Sequence, residues 1–99
     1  MIVHIHTDAS ITLDDADTFT AFSVSAPDLH LEQILAAFGP DAKAGEDDHV
    51  WIAISRLHAL GEAHGGADWR EGCDGMIAFA TGKGWVDEDR QLVRAHVEG

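Results

Sequence analysis

The sequence predicts an α+β fold, with helices packed on one face of a small antiparallel or mixed sheet. Segments with the two-residue period of strands and segments with the helical period follow one another in the order strand, strand, helix, strand, helix, helix, strand, strand. The chain has 99 residues, 45% of them hydrophobic, which suits one domain with its own core and is too short for two. We therefore expect residues 1–99 to form a single globular domain.

Two strands are predicted in the first quarter of the chain. Val3 and Ile5 alternate with His4 and His6, which is the pattern of a strand with one buried face. Residues 18–25 (TFTAFSVS) are rich in the β-branched and aromatic side chains that favour strands. The aspartates between the two segments indicate a turn, so we expect the strands to form a hairpin.

A helix is predicted to begin between Ser25 and Asp28. These two residues have the spacing of a capping-box variant, and Pro27 suits a first helical turn. Gly39 and Pro40 end the helix, because Gly adopts the left-handed conformation that follows many helices and Pro cannot continue one. Its apolar stripe consists of Leu31, Ile34, Leu35 and Phe38.

The segment that follows is predicted to be a loop and then a strand. Residues 41–48 contain no apolar side chain larger than Ala, which indicates a solvated loop. The apolar residues of segment 49–54 fit a strand and, together with Leu57, also a helical face, but the β-rich composition favours the strand. Trp51 then lies on the opposite face from Val50 and Ile52. It is therefore the candidate residue for an interface with another protein chain or for the wall of a pocket.

Two helices and a hairpin are predicted for the rest of the chain. A short helix over residues 56–63 ends at the His64-Gly65-Gly66 break, and a longer one runs to the glycines at 82 and 84. Residues 85–86 and 91–97 flank a polar turn as a hairpin. A winged helix has the same final order, but here the turn in the wing position is acidic. The residues expected to face inward are Trp69, Cys73, Met76, Ile77, Ala80, Val93, Ala95 and Val97.

The charge of the chain restricts its partners. It has 18 acidic and 6 basic residues and a formal charge of −12, which repels nucleic acid phosphates and anionic lipid headgroups. We therefore expect no nucleic acid and no membrane partner. Cys73 is the single cysteine and the first residues lack a secretory signal, so we expect a reducing, cytoplasmic location.

Histidine is abundant, and three histidines are candidate metal ligands. The chain contains seven histidines, and imidazole is the commonest metal ligand as well as the usual acid–base group near neutral pH. His4 and His6 share one strand face, and His96 would join them if the C-terminal strand lay beside the first strand. Three imidazoles on neighbouring strands could bind zinc or a similar divalent metal ion.

Cys73 is expected to be a buried structural residue and not a nucleophile. It shares a helix face with Trp69 and Met76, and the neighbouring acids Glu71 and Asp74 would raise the pKa of its thiol. No Gly-rich phosphate loop is present in the sequence. We therefore assign no catalytic and no cofactor-binding residue.

Two hypotheses of function follow. The first is a non-catalytic accessory or protein-interaction domain that associates with itself, as a homodimer, or with a protein partner. The second is a small metal-binding protein or metal-dependent enzyme that uses His4, His6 and His96. In either case, protonating all seven histidines would move the formal charge from −12 to −5, so association or solubility should change near pH 6.

Overall fold

The structure, a computed structural model, describes residues 1–98 and shows an α+β fold with a mixed seven-stranded sheet. The predicted class and element order are confirmed. The two helices are α1 (Leu31–Phe38) and α2 (Ile54–Gly82). The strands are β1 (Ile2–Ile5), β2 (Ile11–Asp14), β3 (Ser23–Ser25), β4 (Ala42–Ala44), β5 (His49–Ala53), β6 (Val86–Asp87) and β7 (Leu92–Glu98).

The sheet has the strand order β2-β1-β3-β7-β5-β4. β3 is parallel to both of its neighbours, and the other pairs are antiparallel. The short strand β6 pairs with the beginning of β7, on the same side of β7 as β3. The core lies between one face of this sheet and the helices. From the sheet it receives the fully buried Val3, Ile5, Val24, Val50, Ile52, Val93 and Ala95.

The N-terminal hairpin differs from the one predicted from the sequence. The antiparallel partner of β1 is β2, and of the predicted strand 18–25 only β3 forms, parallel to β1. Hydrogen bonds explain the difference. The amino group of Met1 donates to the carbonyls of Thr18 and Ala21 at 2.7 Å each, which holds this segment out of a ladder. The alternation of Ile11 and Leu13 with polar residues is the signal for β2.

Helix α1 begins later than predicted and ends where predicted. Asp28 has a positive φ of 69°, outside the right-handed helical region, so the helix starts after it. His30 is the N-cap residue, and its backbone N–H donates to Oε1 of Gln33 at 2.8 Å, in the manner of a capping box. Phe38 is the last residue, and Gly39 follows with a φ of 63°.

The segment predicted as a loop contains a short edge strand. β4 pairs antiparallel with β5, although it holds no large apolar residue. Its two alanines and the charged Lys43 suit an exposed edge strand with little core to cover. The strand predicted for residues 49–54 is confirmed as β5, with Val50 and Ile52 fully buried and Trp51 on the opposite face.

Helix α2 is bent at Gly66, as the predicted break between two helices requires. Gly66 has φ 66° and ψ −144°, a backbone conformation outside the helical region. The helix begins at Ile54 and not at residue 56. Trp69 is 2% exposed, and its indole N–H donates to the carbonyl of Ala16 at 2.9 Å.

Within residues 1–98, no helix combines the length and apolar character that a membrane span needs.

Candidate functional site

The sheet face opposite the helices, called the outer face below, carries the site residues predicted from the sequence. Strand pairing places Ile2, Ser23 and His96 side by side, and His49 follows on the next strand. These side chains are half-buried or exposed, whereas the neighbouring Val3, Val24, Val50 and Ala95 are buried on the opposite face. The outer face is therefore mostly polar, with aromatic and imidazole rings among hydroxyl groups.

His4 and His6 form one pair of rings on the outer face. Their ring centroids are 4.2 Å apart and their planes are nearly parallel. The Nδ1–H of His4 donates to Oδ2 of Asp14 at 3.0 Å, and Nε2 of His6 lies 2.9 Å from Oγ1 of Thr12. Both contacts reach side chains of the edge strand β2. They fix the orientation of each imidazole and leave one ring nitrogen of each without a contact among the described residues.

His96 does not join this pair. β3 lies between β1 and β7, so the condition for the three-histidine cluster, adjacent first and last strands, is not met. The ring of His96 contacts His49 instead, with centroids 5.2 Å apart, and Nδ1–H of His49 donates to the carbonyl of Glu46 at 2.9 Å. Over residues 1–98, no three His, Cys, Asp or Glu side chains are grouped closely enough to hold a metal ion.

Trp51 lies on the outer face between two basic residues. Strand pairing places Lys43 on one side of it and Arg94 on the other. The ammonium group of Lys43 is 5.9 Å from the centroid of the indole ring, which is within the range of a cation–π contact. Trp51 thus presents a half-buried aromatic surface with a positive border, in a chain whose formal charge is −12.

Cys73 lies in the core, as predicted. Its side chain is fully buried against the sheet, and burial, followed by the nearby Asp74 carboxylate, raises the pKa of the thiol to about 11. The thiol therefore stays protonated at neutral pH. This position favours packing and not nucleophilic chemistry.

A second surface feature, called the aromatic groove below, was missed by the sequence reasoning. It is a cavity of about 470 Å³ between the second half of α2, the 19–22 segment and the β6–β7 edge. Phe79 and Trp85 stand at its border with 62% and 38% of their surfaces exposed, and their ring centroids are 6.4 Å apart. The lining residues are Phe19, Thr20, Ala21, Phe22, Gly72, Gly75, Met76, Phe79, Ala80, Trp85, Val93 and Arg94.

Two glycines one helical turn apart create the room for this groove. A Cβ at Gly72 would overlap the Phe19 ring, so the missing side chain lets Phe19 pack on the helix. A Cβ at Gly75 would meet no atom within 4 Å, so Gly75 faces open space in the groove. The Gly-x-x-Gly spacing followed by Phe79 was the available signal, but helical periodicity alone does not distinguish a groove from a packed face.

Comparison of the chain with family models, with curated proteins and with solved structures finds no match.

Proposed function

We propose that this chain is a non-catalytic interaction domain that forms a homodimer through the outer face of its sheet, in the cytoplasm. The observation that carries the proposal is Trp51, a large aromatic side chain held half-buried on a polar sheet face with no helix over it. Trp and Arg are the residues most enriched in the energetically dominant centres of interfaces. Arg94 lies directly beside Trp51 on β7.

The distribution of charge on the outer face suits a twofold contact. At one edge of the sheet, β4 carries Lys43, and Arg94 lies on β7, next to β5. At the opposite edge, β2 carries Asp14. A twofold axis that lies in the contact and runs parallel to the strands would place the basic edge of one copy over the acidic edge of the other. Because a twofold contact uses the same surface patch on both copies, opposite charges at its two ends are complementary.

Light scattering on wild-type protein and a Trp51→Thr variant tests the homodimer. Thr lacks the indole but has the β-branched shape that suits a strand. We expect a wild-type dimer at micromolar concentration, and a monomeric variant with an unchanged circular dichroism spectrum. Phe79→Ala is the control, because it removes an exposed ring on α2 away from the outer face. A monomeric wild type, or a dimer that survives Trp51→Thr, would contradict the proposal.

A metal-binding protein or metal-dependent enzyme is the second candidate, and the contact between His4 and Asp14 favours it. Metal-ligating histidines commonly donate their other ring N–H to a carboxylate, as His4 does here. His4 and His6 would be the ligands on one strand, whereas His96 lies two strands away, beyond β3, and is not close enough to complete the predicted trio. Elemental analysis of untagged protein, together with thermal shifts on adding zinc, nickel, cobalt or manganese, tests it. Absence of stoichiometric metal and of any shift would refute it.

A further inference from the structure

We propose that the aromatic groove binds a small amphipathic carboxylate, with an acyl or aryl body in the groove and the carboxylate at its basic border. The groove lies beside the second half of α2 and shares only Arg94 with the outer face, so its proposed ligand goes beyond the interaction function proposed above.

The size and lining of the groove suit a small molecule. Its volume of about 470 Å³ lies inside the range of roughly 300–1,000 Å³ that is usual for small-molecule sites. Phe19 and Phe22 lie on one side of the groove, and Met76 and Phe79 of α2 lie on another. Such a concave apolar site buries most of a compact ligand, whereas protein interfaces are flatter and wider.

The charges at the groove select for an anion. Nζ of Lys83 is 5.5 Å from the ring centroid of Phe79 at the border, and Arg94 belongs to the lining. Neither cation makes an ion pair with any carboxylate among residues 1–98. Two of only six basic residues in a chain of charge −12 therefore lie at one apolar site without a partner. A carboxylate on the ligand would supply that partner and gain charge-assisted hydrogen bonds.

The apolar groove with unpaired cations argues against two other occupants. A second copy of this chain has little exposed apolar surface to fill the groove, since the exposed large hydrophobic residues among those described are Leu31, Phe79 and Trp85, and the last two border the groove itself. A neutral apolar molecule would leave both cations without a counter-charge. A ligand with one apolar body and one carboxylate satisfies both features of the site.

Isothermal titration with three ligands of equal chain length tests the charge preference. Decanoate, decanol and decylamine share the apolar body and differ only in the head group. We expect saturable 1:1 binding of decanoate, about tenfold weaker binding of decanol, and no measurable binding of decylamine. Lys83→Gln, which leaves the outer face unchanged, should weaken the binding of decanoate toward that of decanol and leave the binding of decanol unchanged. Equal binding of decanol and decanoate by the wild type, or no saturable binding of decanoate, would overturn the proposal.

Gly75→Leu tests the location, because an added side chain fills the groove without meeting any atom within 4 Å of the Cβ. Gly82→Leu is the matched control, since Gly82 also faces open space on the same helix but lies outside the groove lining. We expect Gly75→Leu to weaken decanoate binding by roughly tenfold or more and Gly82→Leu to leave it unchanged. Equal affinity of the two variants, or loss of dimerisation in Gly75→Leu alone, would overturn the proposed site.

Discussion

The thiol of Cys73 is fully buried on the inner face of α2, one turn after Trp69, and this burial is the main reason for its raised pKa. Desolvation disfavours the thiolate, and the Asp74 carboxylate disfavours it further. The folded state therefore holds the proton more tightly than the unfolded chain does.

We predict that the free energy of unfolding falls as pH rises from about 9 to about 11, because the unfolded thiol ionises first and the folded thiol only near a pKa of about 11. The full effect is roughly 2–3 kcal/mol. It is measured by urea unfolding at several pH values, with Cys73→Ala as the control. If the free energy of unfolding falls equally with pH in the wild type and in Cys73→Ala over this range, Cys73 makes no such contribution.

Trp69, in the second half of α2, packs against the first half of the same helix only because Gly61 and Gly65 have no side chains. A Cβ at Gly61 would overlap the indole ring, which is 2% exposed and anchored by its hydrogen bond to Ala16. We predict that Gly61→Ala lowers the free energy of unfolding by about 1–3 kcal/mol, the usual cost of overpacking a core. Gly75→Ala, which meets open space on the same helix, should instead leave stability unchanged or raise it. Equal stabilities in urea unfolding would contradict this packing.

The sequence predicts the buried face correctly for residues in segments with an unambiguous helical or strand period. Cys73 and Val93 fall on the predicted inner faces because apolar side chains recur there at the spacing of a helix or a strand. His96 could not be placed relative to His4, because strand order depends on pairings between distant segments that leave no local signal. The separation of the two histidine pairs is therefore visible only in the folded chain.

Helix α2 changes direction at Gly66, and this bend brings its second half over the β6–β7 edge. Gly66 has φ 66° and ψ −144°, a region that only glycine occupies without strain. A residue with a Cβ would either distort the bend or straighten the helix, and a straighter helix would move α2 away from the aromatic groove.

We predict that Gly66→Ala destabilises the protein by about 1–3 kcal/mol, since its Cβ meets no neighbour but its backbone conformation is unfavourable. Gly82→Ala, without a positive φ, should have no such cost. Thermal unfolding by circular dichroism compares the two variants. Equal midpoints would mean that the bend at Gly66 is not needed.

Elements with clear end signals were predictable, and those held by distant contacts were not. Gly39 and Pro40 correctly ended α1, but its start was predicted early because Ser25 and Asp28 resemble a cap. The positive φ of Asp28 and the bond between His30 and Gln33 decide the start instead. β4 was missed since a short edge strand takes its stability from pairing with β5 and not from its own side chains.

The net charge of the molecule opposes association between copies. At a formal charge of −12 two copies repel each other, and protonating the seven histidines would reduce that charge to −5. This repulsion acts over about 30 Å at 0.01 M ionic strength and over about 8 Å at 0.15 M.

We predict that adding salt at pH 8 strengthens the dimer, because salt screens the net repulsion between two copies of charge −12. Sedimentation equilibrium at the two salt concentrations measures the effect. A dimer constant that does not change with salt would show that net charge does not control association.

The exposure of Trp51 as a function of protein concentration tests the dimer most directly. In a Trp85→Phe variant, acrylamide quenching reports on Trp51, because the other remaining tryptophan, Trp69, is 2% exposed. If two copies meet through the outer face, quenching should decrease as the concentration rises through the range where light scattering shows dimer formation. Quenching that stays constant while the dimer forms would show that Trp51 lies outside the contact.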